Sequence, residues 1–402
     1  MANRYHDLRL GLFVHYVFFD AERTFAGGSI GRRADGSCVA SLDELADGLD
    51  VENLCDAAAA MRAQYVIFTA WHANMNALFP CLAMERIRPG HCSRRDVIAD
   101  LAAALRHRNI ELMLYVHPCD GHDFSKADQD ALGWNDGEPY ARWNDFVNAV
   151  FDETARRYRG RVLGYWVDGG LPPQVAKTID RVRQTVRLAD PQAVVVQNEA
   201  FAPNRFRRWA DFGCREWVRE PFPCEALAAA NVITLSWWAN HTPLAVTPEV
   251  ALRYTVLQAA VAGSEGGGVA WSAGPYPGGV WEAGVEDFFA RLGRYVDTIA
   301  PALFGTRPSA SFVTEPGIDL FWHAEAAATE SIDGKTTYVH VLRPPARREL
   351  TLPAPRDGKS FRAARMLATG RCVALAQNDQ GLKLTLAASD TWDSLDTVIV
   401  LT

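Results

Sequence analysis

Leu163-Gly164-Tyr165-Trp166-Val167-Asp168-Gly169-Gly170 is an apolar run that ends on a carboxylate and passes straight into two glycines. A strand covered on both faces reads as an unbroken apolar stretch because neither side meets water, and such strands belong to parallel sheets. An acid at its end, followed by residues that let a backbone approach a ligand closely, fits a strand whose C-terminal end faces a site. With Val162 included, this run is one of eight. The others are Leu10 to His15, Gln64 to Trp71, Ile110 to His117, Ala193 to Asn198, a weak one near Trp209 to Phe212, Val232 to Trp237, and Gly267 to Trp271. Helical patterns lie between them. Eight parallel strands alternating with helices predict an α/β fold, a (β/α)8 TIM-like barrel.

Trp143, Phe146, Val147, Val150 and Phe151 share one face at helical spacing. Ser93 and Asp96, ahead of Val97, Ile98, Leu101 and Leu105, predict a helix start with a capping box. The glycines, acids, Asn and Pro of Gly121 to Pro139 predict a loop after the third strand. Past Arg294-Tyr295, the stretch Pro301 to Ser309 leaves the last helix and the helical period disappears. Leu320 to His323, Thr337 to Leu342, Glu349 to Leu352, Leu382 to Leu386 and Thr397 to Leu401 read as strands, with Asp333-Gly334 as a hairpin turn between the first two. The expected division is a catalytic barrel over residues 1–309 and a C-terminal β-sandwich over 310–402.

A chain of 402 residues, 49% of them apolar, can bury a large core and more than one domain. Its 41 basic and 48 acidic residues give a net charge of −7 with no long run of either sign, so a nucleic-acid footprint is absent and a small neutral partner is expected. Met1 to Asp7 carries no secretory pattern, and no apolar run approaches the roughly 20 residues that span a bilayer. The eight cysteines are scattered without a Cys-x-x-Cys, which argues against a zinc cluster or redox dithiol and for free thiols in a reducing compartment. A cytoplasmic protein without a membrane segment is the expectation, its oligomeric state open, a homo-oligomer included.

If the eight runs are barrel strands, their ends present His15, His72, His117, Asp168, Asn198 with Glu199, Trp237 with Trp238, and Trp271. That ring is polar and aromatic, and the C-terminal rim is where this fold builds active sites. Hydrolysis of a glycoside needs two carboxyl groups flanking the bond, one to attack or activate water and one to protonate the departing oxygen. Asp168 is the first; Glu199, Glu216, Glu220, Glu265 and Glu282 are candidates for the second. The 12 tryptophans, among them Trp71, Trp134, Trp166, Trp217, Trp237, Trp238, Trp271 and Trp281, offer flat faces to the C–H surfaces of a sugar.

At this point the motifs resemble those of the family 29 α-L-fucosidases, in order over most of residues 9–307. Gly11-Leu12-Phe13-Val14-His15 resembles that family's Gly-Ile-Phe-Ile-His strand. Gln64 to His72 is similar to its Ala-Lys-Tyr-Val-Val-Leu-Thr-x-x-His-His segment, and Tyr165-Trp166-Val167-Asp168-Gly169 to its Trp-x-Asp-Gly nucleophile strand. Asp211-Phe212-Gly213-Cys214-Arg215-Glu216 resembles the Asp-Phe-x-x-x-Glu segment that supplies the acid/base in some members. Ala270 to Pro275, Leu292-Gly293-Arg294-Tyr295 and Leu303-Phe304-Gly305-Thr306 resemble its closing motifs.

The resemblance implies a retaining glycosidase acting on a terminal sugar of a short oligosaccharide or glycoside, with no metal or organic cofactor. Asp168 would be the nucleophile and Glu216 the acid/base; His15, Trp71, His72, His117, Trp166, Trp237 and Trp238 would contact the carbohydrate. Two departures bear on the sugar. Trp71 stands where the first histidine of the His-His pair is expected, and no arginine is found near Ala200, so the pocket is expected to differ from one built for L-fucose. Two rival readings are a metal-dependent hydrolase using His15, His72, His117 and Asp168 as ligands, and a carbohydrate-binding homologue without turnover.

Overall fold

The computed structural model describes residues 4–18, 31–72, 74–117, 124–168, 173–198, 210–216, 227–261, 267–315 and 320–402. Eight parallel strands form a closed barrel: β1 (Leu10–Val14), β2 (Tyr65–Trp71), β3 (Glu111–Val116), β4 (Gly164–Val167), β5 (Val194–Asn198), β6 (Phe212–Glu216), β7 (Leu227–Val232) and β8 (Val269–Ser272). Each pairs with its neighbour in sequence, and β1 pairs with β8 from Leu10↔Val269 to Phe13↔Ser272. β1, β2, β4 and β8 are buried at every residue, as strands with helices outside and side chains inside must be.

The interior is filled by rings stacked along the barrel axis. Tyr5, from the turn Arg4–Asp7, meets Tyr65 and Phe212 edge-on at the N-terminal end. Gly11 allows the Tyr65 ring to lie across β1, since a Cβ there would stand 2.4 Å from the ring. Higher up, Phe13, Tyr115 and Trp166 pack together with centroids 5.0 to 5.7 Å apart. They form a floor just below the strand ends.

Two strands differ from expectation. The sixth is not Trp209 to Phe212 but begins at Phe212; Trp209 lies outside the described residues. The seventh is not Val232 to Trp237 but Leu227–Val232. Its Leu-Ala-Ala-Ala-Asn-Val sequence has little of the bulk that marks a strand, and packing explains why. Ala228 packs close to Gly267, where an added Cβ would stand 2.9 Å from the Ala228 Cβ and 3.3 Å from the Tyr5 ring.

Outside the barrel, the helix Ala141–Arg157 buries all five residues of the expected face. The helix Val97–His107 is capped by Asp96, whose side chain accepts from Ala99 N, while the Ser93 hydroxyl turns to Arg95 O. The expected loop 121–139 contains a helix, Lys126–Leu132, started by Ser125.

Residues from Thr306 onward build two antiparallel sheets. β9 (Thr306–Pro308), β10 (Ala326–Ser331), β11 (Thr337–Val341), β13 (Ala364–Met366) and β16 (Thr397–Leu401) form one; β12 (Glu349–Leu352), β14 (Ala374–Asn378) and β15 (Gly381–Thr385) form the other. Val339, Val341 and Ile399 of the first meet Leu350, Leu382 and Leu384 of the second in a separate core. β10 and β11 form the hairpin around Asp333-Gly334, with Gly334 at φ 69°. Leu320–His323, expected as a strand, is a short helix. The sheet begins at Thr306, four residues ahead of residue 310.

Arg253, on the helix Pro248–Val261 of the barrel, ties the two parts together. Its guanidinium donates to the carbonyls of Phe321, Ala324 and Leu342 at 2.7, 2.7 and 2.9 Å. Arg253→Met removes all three charge-assisted bonds and leaves the carbonyls partly buried, which should cost roughly 2–4 kcal/mol. Urea unfolding of the two proteins measures it, and a loss under about 0.5 kcal/mol would show that the clamp adds little.

Candidate active site

The strand ends converge as barrel geometry requires. His15 follows β1, His72 follows β2, His117 follows β3, Asp168 follows β4, Asn198 ends β5 and Glu216 ends β6. The Asp168 amide is fixed by Val116 O at 2.8 Å, which anchors the residue where β4 leaves the sheet. Its Oδ2 accepts from the Tyr115 hydroxyl at 2.6 Å, and its Oδ1 accepts from Asn198 Nδ2 at 2.8 Å. His117 Nε2 stands 3.8 Å from Oδ2.

Asn198 Nδ2 also donates to Glu216 Oε1 at 2.6 Å. One amide nitrogen therefore bridges the two carboxyl groups with its two protons. Two oxygens that share one donor can be no farther apart than the sum of the two contacts. So close an approach of the nearest oxygens fits a pair set at roughly 5–5.5 Å, where a carboxylate attacks directly, better than one held roughly 6.5 Å or more apart to accommodate a water.

Burial and the nearby Asp168 charge raise the Glu216 pKa to about 8, against the opposing pull of the Asn198 hydrogen bond and His117. Glu216 is thus protonated at neutral pH, the state a general acid needs. His15 is pushed down to about 3 by burial, with Asp168 opposing and His117 assisting. Burial and the neighbouring histidines likewise push His72 well below its ordinary value. Both are neutral imidazoles, able to donate at one nitrogen and accept at the other.

The aromatic residues divide sharply. Trp237 and Trp238 lie in the bends after β7, not on a strand, which is how neighbours in sequence both reach His15, at centroid distances of 5.5 and 6.2 Å. Trp238 also meets His72 edge-on at 6.3 Å. Trp166 is fully buried, stacked beneath Tyr115 as part of the floor.

Trp71 is turned away. A register shift in β2 between Thr69 and Trp71 directs its indole onto Phe79 and Phe151, the latter on the helix Ala141–Arg157. Its indole therefore does not take the expected place in the pocket. Trp134 packs on Trp143, Trp271 on Tyr254 and Trp281 on Phe289. Glu282 is held among loop amides. Glu199, Trp217, Glu220, Glu265 and Ala200 lie outside the described residues. Among the described residues, no three His, Cys, Asp or Glu side chains are arranged to hold a metal ion.

Tyr115 had no assigned role in the sequence reading, and Asn198 was only one residue of the ring. Tyr115 precedes His117 by two positions in a strand and so shares its inward face, the one signal that could have found it.

Two carboxyl groups so close, one held protonated and ringed by neutral imidazoles and indole faces, define the class as glycoside hydrolases. The chain belongs to the α-L-fucosidase family, whose model matches residues 45–300, well over half of it. Its fold is similar to that of a family 29 α-L-fucosidase from Bacteroides thetaiotaomicron, at TM-score 0.75 and 18% identity over 100% of this chain and 94% of that one. It is similar also to α-L-fucosidase isoenzyme 1 from Paenibacillus thiaminolyticus, at 0.74 and 18% over 100% and 97%. A Bacteroides thetaiotaomicron fucosidase solved as a trapped covalent intermediate with 2-fluoro-fucosyl fluoride matches at 0.75 and 17% over 100% and 95%. No curated protein sequence matches the chain.

Because the Asp168 charge helps hold the Glu216 proton, Asp168→Asn should lower the Glu216 pKa from about 8 toward the ordinary carboxyl range. Carbon-13 NMR titration of the glutamate carboxyls reads this directly. A midpoint unchanged in the variant would mean that burial alone sets it.

Proposed function

We propose that this protein releases a terminal L-fucose, or a sugar close to it, from a short oligosaccharide or glycoside by a two-step retaining displacement. The observation that carries the reading is the Asn198 amide shared by Asp168 and Glu216. Asp168 attacks the anomeric carbon while Glu216 gives its proton to the departing oxygen, forming a glycosyl ester and a free alcohol. Glu216, now a carboxylate, takes a proton from water as that water attacks the ester carbon, and the sugar leaves with its anomeric configuration retained. Family membership supports fucose as the sugar, as does the fucosyl intermediate of the Bacteroides enzyme.

His15, His72 and His117 would read sugar hydroxyls, and Trp237 and Trp238 would take up C–H faces. The barrel through residue 309 would carry the chemistry and residues 310–402 would buttress it. The six described cysteines are free, three of them buried, which supports a reducing, cytoplasmic setting. No described helix is long and apolar enough to cross a membrane. Association into a homo-oligomer is compatible with this reading.

Asp168→Ala should lower kcat by roughly a thousandfold or more without unfolding the barrel. Glu216→Ala should spare attack on an aryl donor with an acidic leaving group, and azide should restore turnover as the glycosyl azide. Azide rescue of a Glu199 or Glu220 variant instead would remove Glu216 from the role. In the wild type, kcat/KM should fall as pH rises through about 8, where Glu216 loses the proton it must donate. Aryl glycosides of L-fucose, L-galactose, L-rhamnose and D-sugars test the sugar; turnover confined to a D-sugar would overturn the fucose assignment.

A further inference from the structure

Glu282 is a buried carboxyl group, 9% exposed, that the mechanism does not use. It lies beyond β8, and the chain it grips is the turn that follows Trp237 and Trp238. Three successive backbone amides there are captured by two side chains. Asn240 N and Thr242 N donate to Glu282 Oε1 at 2.7 and 3.3 Å, and His241 N between them donates to the Tyr276 hydroxyl oxygen at 2.7 Å. The Tyr276 hydroxyl in turn donates to the same Glu282 oxygen at 2.8 Å.

His241 has φ 51°, a left-handed conformation that costs a non-glycine residue about 1 kcal/mol or more and persists only where surrounding contacts over-determine it. Here those contacts are the carboxylate and the phenol. Consecutive amides turned to one side in this way form a concavity that favours negative charge, and Glu282 supplies it from within the chain.

What the turn holds is the aromatic edge of the pocket. On its near side, Ser272 Oγ donates to Trp237 O at 3.2 Å. Gly274 lets the chain after β8 pass between the loop and β1: a Cβ there would stand 2.4 Å from His15 O and 3.4 Å from Ala239 N. With both ends fixed, Trp237 and Trp238 have little freedom beside His15 and His72. Without the carboxylate, the Asn240 and Thr242 amides lose that acceptor, and the left-handed residue keeps only the Tyr276 hydroxyl of its two restraints.

We propose that Glu282, acting with Tyr276, is a positioning residue that locks the loop carrying Trp237 and Trp238 against His15 and His72 and so sets the affinity for sugar, a role that rests on the pocket assignment above. It predicts a split between binding and turnover. Glu282→Ala should raise KM for an aryl α-L-fucoside, and Kd for an iminocyclitol mimic of the sugar, roughly tenfold, equivalent to about 1.4 kcal/mol. The same variant should change kcat by less than about threefold and leave the alkaline limb where it was. Glu282→Gln keeps a carbonyl acceptor for the amides and should recover most of the loss.

A folded Glu282→Ala with wild-type KM and Kd overturns the proposal. So does a collapse of kcat that azide restores, which would make Glu282 the acid/base. Should Glu282→Ala fail to fold, Tyr276→Phe removes only the hydroxyl; a rise in KM of about threefold supports the lock and none overturns it. Hydrogen exchange at Asn240, His241 and Thr242 reads the lock without turnover. Protection lost in Glu282→Ala supports it and protection retained refutes it, whether or not the wild type cleaves a fucoside.

Discussion

Pairing of β1 with β8 is the constraint on which the rest depends. Once the sheet closes, eight strand ends that are scattered along the sequence must share one rim, and a residue just past an end has nowhere to point but over the mouth or into the surrounding helices. His15, His72, His117, Asp168, Asn198 and Glu216 meet for that reason alone. The same closure forces a filled interior, and the Phe13, Tyr115 and Trp166 rings that fill its upper layer give the pocket a rigid floor. Tyr115 does both, packing in that layer while its hydroxyl reaches Asp168.

Burial then sets the chemistry. A low-dielectric floor makes charge expensive, so the site can support one carboxylate well supplied with donors but not two. Asp168 takes the Tyr115 hydroxyl and half of the Asn198 amide; Glu216, with a single donor and a neighbouring negative charge, keeps its proton. His15 and His72 lose theirs under the same pressure. The raised Glu216 pKa follows from burial and the neighbouring Asp168 charge, which its Asn198 hydrogen bond only partly offsets.

Apolar runs ending in His15, Asp168 and Asn198 were legible because burial on both faces leaves an unbroken hydrophobic signature, and six of the eight strands were found that way. The sixth and seventh were displaced because Phe-Gly-Cys-Arg-Glu and Leu-Ala-Ala-Ala-Asn-Val lack the run of β-branched and aromatic residues that marks a strand. The bulky Trp237 and Trp238 that drew the expected strand toward them belong to the following loop. Leu320–His323 misled in the opposite sense: four apolar residues suffice for a strand or for one helical turn, and periodicity cannot choose over so short a span.

By itself the sequence determined the barrel, the C-terminal β-rich part, and the likelihood of each strand-end residue facing a common rim, since these follow from local patterns of burial repeated along the chain. Only the tertiary structure decided which way Trp71 turns, because a one-residue irregularity in β2 exchanges the inner face for the outer. Only it joined Asn198 to both carboxyl groups and Glu282 to two amides of a distant turn. Such contacts depend on distances between segments far apart in the chain, and no residue carries in its own type or spacing a record of what closure will bring beside it.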